Sequence, residues 1–290
     1  MKIVLAAAAM ALTALSAPMP VCAQKSASLD KPDWARPVKP FRIAGNVYYV
    51  GTEGLAAYLI ASGHRAILLD GTLEANAPLV ERNIEALGFQ LKDVKIILNS
   101  HAHFDHAGGI ARIRRDTGAR FYASAGDRWA LEHGLHDSDT DYPRGHFPAV
   151  PVDHVLTDGE VVALGGVRMT ATLTPGHTKG CTTWSTQVVT PGRVLDVVFP
   201  CSLTVAGNIL VGNRLYPRIA RDFPQSFATL DRMKADIVLT NHPEIADVLG
   251  REQRARAGDA NAFVDPGLLH RLVAEARAAF NAALAKARGK

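Results

Sequence analysis

The run Asn99-Ser100-His101-Ala102-His103-Phe104-Asp105-His106 places three imidazoles and a carboxylate within its last six residues, directly behind Val94–Leu98, a stretch apolar but for Lys95. Ile96, Ile97 and Leu98 predict a short buried strand as the lead-in. A helix is predicted to begin near Ala107 and to end before Gly118, so the run is a loop fixed at both ends. Alternating side chains on such a loop point in different directions and can wrap two metal ions. Neutral imidazole and carboxylate are the ligands zinc prefers where a site keeps a position open for water. Matching histidines occur downstream, His177 in Thr174-Pro175-Gly176-His177-Thr178 and His242 in Thr240-Asn241-His242-Pro243-Glu244. Each follows a β-type run and can therefore sit on a loop at a strand's end. Either alone reads more naturally as an ordinary surface histidine. Together with the first cluster they complete two sets of protein ligands, which disfavours a His-rich loop that binds nothing.

Around this cluster the chain reads as short strands and helices. After the prolines at 32, 37 and 40, β-type runs are expected at Asn46–Val50, Ala56–Ala61 and Ala66–Leu69, punctuated as antiparallel hairpins are. A helix is expected over Glu74–Leu87, with Val80, Ile84 and Leu87 on one face and Gly88 as its stop. Beyond the histidine run come a strand at Ala119–Ala123, a helix opened by Ser124 and an exposed loop over Gly134–Pro151. Strands follow at Glu160–Leu164, Val167–Thr174, Thr182–Val189 and Val194–Phe199. A helix near Pro224–Met233, a strand at Asp236–Leu239 and a terminal helix from Pro266 complete the chain. Asp265-Pro266 supplies that last helix with an N-cap and a first-turn proline. Leu269, Leu272, Val273, Ala276 and Phe280 supply its apolar stripe. Strands then helices, twice over, suit two sheets packed face to face with helices outside.

The first 23 residues read as a leader. Lys2 is followed by the apolar run Ile3–Leu15, and Val21-Cys22-Ala23 offers small residues for cleavage before Gln24. The run falls short of the roughly 20 residues of a membrane span, and Met19-Pro20-Val21 is a poor context for a lipid anchor on Cys22. Export to the periplasm or medium is therefore expected, with residues 24–290 as a single domain. With 48% hydrophobic residues the chain can bury a large core, and its net charge of +4 is modest. Arg251, Arg254 and Arg256 read as a solvated helix face, and no basic cluster interleaved with aromatics marks a nucleic-acid partner. Beyond the leader only Cys181 and Cys201 remain, too few for a disulfide framework. Whether they pair depends on the turn at Thr190-Pro191-Gly192. An odd loop centred on Pro191 sets Cys181 opposite Cys201, within bridging reach. An even Pro191-Gly192 turn sets it opposite Ser202 instead and disfavours a bridge.

His-x-His-x-Asp-His, then Pro-Gly-His-Thr, then a third metal histidine resembles the metallo-β-lactamase superfamily. Val50-Gly51-Thr52-Glu53, Leu68-Leu69-Asp70-Gly71, Ser226-Phe227-Ala228-Thr229 and Asn241-His242-Pro243 extend the resemblance to subclass B3. It runs from about Trp34 to His242 and weakly beyond. The fold implied is an α/β, four-layer αββα sandwich of two mixed sheets. By position, the resemblance implies one zinc on His101, His103 and His177, and a second on Asp105, His106 and His242. His106 directly after the motif aspartate implies a two-ion site without a cysteine ligand. The reaction implied is opening of the β-lactam amide by water activated between two zinc ions. Asp105 would orient the nucleophile, the second zinc would take up charge on the leaving nitrogen, and no acyl-enzyme would form. The partner implied is thus a small β-lactam, with a monomer slightly favoured.

The resemblance also gives Asp70 as a buried brace of the histidine loop, and Ser202 and Thr204 as hydroxyls near water and the substrate carboxylate. Trp34, Phe104 and the loop Gly134–Pro151 would wall the cleft. Lactonases and glutathione-thioester hydrolases of the superfamily place a metal-bridging aspartate near Cys201, and other lactamase subclasses place a cysteine ligand there. With six ligands already supplied, Cys201 is not expected to be one, and the missing aspartate disfavours the lactonase and thioesterase alternatives. A zinc-binding or RNA-processing protein would need a basic substrate arm, which is not found.

Overall fold

The computed structural model of the chain describes residues 31–142 and 145–289. The expected leader, residues 1–23, lies outside them. The first sheet has seven strands in sequence order: Phe41–Ala44 (β1), Val47–Tyr49 (β2), Tyr58–Ser62 (β3), Arg65–Leu69 (β4), Val94–Leu98 (β5), Arg120–Ser124 (β6) and His154–Leu156 (β7). Its first four strands are antiparallel hairpins, and β4 to β7 run parallel. The second sheet holds Val161–Leu164 (β8), Val167–Leu173 (β9), Thr182–Thr190 (β10), Arg193–Phe199 (β11) and Ile237–Val238 (β12), with β12 parallel to β11 and the rest antiparallel.

Both faces of the first sheet are covered. Along β4, Ile67 and Leu69 enter the core shared with the second sheet, where they meet Met169, Trp184 and Val197. Ala66 and Leu68, pointing the other way, meet the helices Ala77–Ala86 (α1), Ile110–Thr117 (α3) and Ala125–His133 (α4) through Val80, Ile84, Ile113 and Leu131. This period-two division is why β4 reads as a continuous apolar run from Ala66 to Leu69. Beyond the second sheet, Ile219–Leu230 (α5) and Leu268–Arg288 (α7) interlock through Phe223, Phe227 and Phe280, with ring centroids 5.0–6.0 Å apart. The result is the four-layer αββα sandwich.

Several elements differ from expectation for local reasons. The helix expected to start near Ala107 and end before Gly118 is instead two pieces, Phe104–Ala107 (α2) and α3, with Gly108 and Gly109 between them packed so closely that a Cβ on Gly109 would lie 2.2 Å from Gly71 O. Pro224 lies inside α5 rather than opening it. Ser124 does cap the position before α4, but its hydroxyl donates to Gly180 O (2.6 Å) instead of to the helix. The expected stripe of α7 is in place, although the helix begins at Leu268, after a turn held by Asp265. Arg254 and Arg256 lie exposed on Val248–Arg256 (α6), but Arg251 is buried and donates to Phe263 O.

Cys181 and Cys201 form a disulfide, with Cα atoms 5.7 Å apart. The turn is the even one, since Thr190 pairs with Arg193 and Trp184 with Phe199. That register alone would set Cys181 opposite Ser202. The ladder stops at Trp184 and Phe199, however, and Pro200 follows, so Cys201 leaves the strand path and turns towards Cys181. The bridge closes a span of 20 residues, worth about 3 kcal/mol by loop-closure entropy. Residues 24–290, denatured without reductant, should therefore show no titratable thiol. Two free thiols per chain would exclude the bridge.

Candidate metal centre

The three histidine segments leave strand ends on one rim of the sandwich: the first follows β5, the His177 loop follows β9 and the His242 loop follows β12. Each is tied across the sheets. Trp184 Nε1 donates to Asn99 O (3.1 Å) and Thr182 N to Ser100 O (2.8 Å), joining the second sheet to the histidine run. Ala56 N donates to Asn241 O (2.9 Å) and Tyr58 Oη to Thr240 O (2.6 Å), joining the first sheet to the His242 loop. Ser226 on α5 donates to Pro175 O (2.6 Å), just before His177.

Asp70 ends β4 beneath the histidine run. Its carboxylate accepts from Asn99 Nδ2 (2.9 Å), Ser100 N (2.7 Å) and Ser100 Oγ (2.7 Å), and lies 4.0 Å from His106 Nδ1. Its backbone is left-handed at φ 65°, and Thr72 follows at 57°. Such conformations cost non-glycine residues about 1 kcal/mol or more and persist only where the surroundings impose them. Here Gly71 N donates to His106 O (2.8 Å) and Gly109 N to Thr72 O (3.1 Å), which supply that constraint.

Among the described residues, two groups of three offer ligand atoms within 4.8 Å of one another: His101, His103 and His177, and Asp105, His106 and His242. The hydrogen-bond network assigns the ring tautomers. His177 Nδ1 donates to Thr204 O (2.7 Å) and His242 Nδ1 to Gly54 O (3.3 Å), since carbonyl oxygens only accept. Ser100 Oγ spends its proton on Asp70 and so accepts from His101 Nδ1 (2.9 Å). In the neutral form of all three rings the lone pair is therefore on Nε2, which faces inward. His101 Nε2 is buried without any hydrogen-bond partner. His177 Nε2 faces His103 Nδ1 at 3.0 Å, and His242 Nε2 faces His106 Nε2 at 3.2 Å, with Asp105 Oδ2 3.3–3.4 Å from both of the latter.

Electrostatics agree with that arrangement. Burial, then the neighbouring imidazoles, push His101 and His103 well below the usual imidazole range, and burial pushes His177 down to about 3. Burial opposes ionisation of Asp105, but His106 and His242 outweigh it and hold the carboxyl well below the usual range. For His106, burial is outweighed by Asp105 and Asp70, which draw its pKa upward. Converging imidazole nitrogens, one of them orphaned, beside an ionised carboxylate form a donor set that fits divalent transition-metal cations.

The flanking residues lie close to the two groups. The Trp34 ring lies 5.6 Å from that of His242 and 6.1 Å from Phe104, and Gly145 of the long loop closes on Phe104. Ser202 Oγ and Thr204 Oγ1 are 3.1 Å apart beside His177, and with Asn241 they edge a cavity of about 260 Å³ reaching α7. Two residues escaped the sequence reading. Buried His136 sets its Nε2 3.0 Å from His103 Nε2, and Asp127 on α4 binds backbone on two of the histidine segments. No spacing marks either one, although Asp127 lies in a helix's first turn, where carboxylates are favoured.

The family model of the metallo-beta-lactamase superfamily matches residues 50–242, and with this fold and this pair of ligand groups the chain belongs to that superfamily. Among solved structures it is similar to BJP-1, a subclass B3 metallo-beta-lactamase of Bradyrhizobium japonicum, at 38% identity and TM-score 0.84, covering 89% of this chain and 98% of that one. FEZ-1 metallo-beta-lactamase from Legionella gormanii is 39% identical at TM-score 0.84, covering 88% and 99%. A hydroxyacylglutathione hydrolase of Fuscovulum blasticum is 32% identical over 120 residues, 41% of this chain but only 38% of that protein.

Proposed function

We propose that this protein is a zinc-dependent β-lactamase that opens the amide of penicillins, cephalosporins and carbapenems, acting outside the cytoplasm after removal of residues 1–23. The observation that carries this is the paired donor set, His101–His103–His177 and Asp105–His106–His242, in a chain similar over nearly its whole length to subclass B3 enzymes. Each triad would hold one ion. When bound, two such ions supply Lewis acidity towards a carbonyl and a nucleophile from water at neutral pH.

The chain's own groups do the rest. Ionised Asp105 accepts a hydrogen bond from the attacking water and so aims it. Ser202 and Thr204 donate hydroxyls to the substrate carboxylate, and Trp34 and Phe104 shield the His242 side from solvent. The glutathione-thioester alternative has curated relatives in its favour, but Cys201 stands where those enzymes are expected to carry a bridging aspartate, and its sulfur is bonded to Cys181. A serine route has little behind it. The Ser-x-x-Lys spacing does occur once, at Ser28–Lys31, but without the Ser-Asp-Asn and Lys-Thr-Gly companions of serine enzymes.

The test is turnover of one penicillin, one cephalosporin and one carbapenem by residues 24–290. Activity should vanish with a chelator, return with zinc and ignore clavulanate. Hydrolysis of a lactone or thioester, with no β-lactam turnover at full zinc loading, would overturn the assignment.

A further inference from the structure

Asp127 lies on neither of the segments that carry the first triad, yet its carboxylate grips both of them. Oδ2 accepts from Ala102 N and from Thr178 Oγ1, both at 2.8 Å, while Oδ1 accepts from Gly180 N at 2.8 Å. Ala102 stands between His101 and His103, and Thr178 directly follows His177. One buried carboxylate thus joins both arms of the first triad. The contact is built into the backbone on either side. A Cβ on Gly126 would lie 2.4 Å from Lys179 O, and one on Gly180 would lie 2.3 Å from Asp127 N, so the first turn of α4 meets the His177 loop main chain to main chain. Ser124 Oγ, donating to Gly180 O, closes the same junction but touches only that one loop.

Three donors from two segments converge on a side chain that is 3% exposed. Burial of this kind opposes charge and raises the Asp127 pKa to about 6 against the pull of its hydrogen bonds. An aspartate that merely anchored one turn would need only one of these segments. We propose that Asp127 is a positioning residue that fixes the separation of the His101–His103 pair from His177, and thereby sets the affinity of the first triad for a divalent cation. This rests on reading that triad as a metal site.

The test measures zinc affinity, by competition with a chromophoric chelator, in a His242→Ala background where the first triad alone remains intact. Asp127→Asn, nearly equal in size, keeps one accepting oxygen and loses the other. It should weaken zinc there by about 10–100-fold, with the cobalt(II) absorption of the site altered. Thr178→Val removes one of the three bonds and should weaken zinc less, in the same direction; it carries the test if Asp127→Asn does not fold. Ser124→Ala should lower the melting temperature without changing zinc affinity. Unchanged affinity and cobalt spectrum in Asp127→Asn and Thr178→Val would overturn the proposal, as would an equal weakening by Ser124→Ala. Failure of the metal reading itself would show separately, as a parent protein that binds no zinc.

Discussion

Replacing Asp105 with alanine should lower β-lactam turnover by about two to four orders of magnitude, the usual worth of a positioned proton-accepting group, and should also lower metal content. Both effects follow from one carboxylate. Asp105 Oδ2 lies 3.3–3.4 Å from the inward nitrogens of His106 and His242 and is held ionised by them. Two consequences can be separated. His242→Ala should lose mainly the second ion and His177→Ala mainly the first, each keeping the other. Asp105→Asn retains one ligand oxygen, so it should recover metal content more fully than turnover. Elemental analysis beside steady-state rates decides the matter. Two tightly held ions per chain in His242→Ala would sink the assignment of ligands, and near-normal turnover in Asp105→Ala would remove Asp105 from the reaction.

A second large effect is expected at a residue that supplies no ligand atom. Gly109→Ala should destabilise the protein by about 3 kcal/mol, the upper part of the usual overpacking range, and should loosen the second ion. A Cβ there would stand 2.2 Å from Gly71 O, a backbone atom that cannot swing aside. Relief requires the α2–α3 junction to part from the segment after β4. That movement breaks the hydrogen bonds from Gly109 N to Thr72 O and from Gly71 N to His106 O, which fix the end of the histidine loop. Gly166→Ala is the control, since a Cβ meets nothing within 4 Å there, and its effect should stay within about 0.5 kcal/mol. Chemical denaturation of the two variants, with metal content measured alongside, tests this. Equal midpoints would contradict the close packing.

The two donor groups were legible in the sequence because their chemistry is local. His-x-His-x-Asp-His names its own donors, and the apolar residues before it name the strand. The sandwich was legible for a similar reason, since β4 and β5 carry apolar residues on both faces and must be covered twice. What escaped depends on distant main chain. Asp127 acts on amide groups 25 and 53 residues away, and no side-chain pattern records where a backbone N–H will arrive. The cysteine pair failed differently. Turn parity gave the correct alternatives, but extrapolating them assumed that the ladder continued to the cysteines, whereas it stops at Trp184 and Phe199. Pro224 misled because proline marks a first helical turn by preference only, and packing of Phe223 and Phe227 against Phe280 holds α5 together around it.

The outward nitrogens of His101, His177 and His242 all find oxygen acceptors supplied by the protein. Those rings are therefore oriented by folding, before any cation arrives. In small zinc modules, by contrast, metal binding provides the folding free energy and chelation unfolds the chain. A sandwich of this size, already closed by its own core, should behave in the opposite way. Chelated protein should keep its secondary structure and unfold cooperatively, at a lower temperature. The interval between the two melting points becomes a thermometer of occupancy: free zinc at one hundred times its dissociation constant adds about 2.7 kcal/mol to the native state. Resistance to unfolding would then vary with the zinc of the surroundings, while the architecture that receives the metal stays the same.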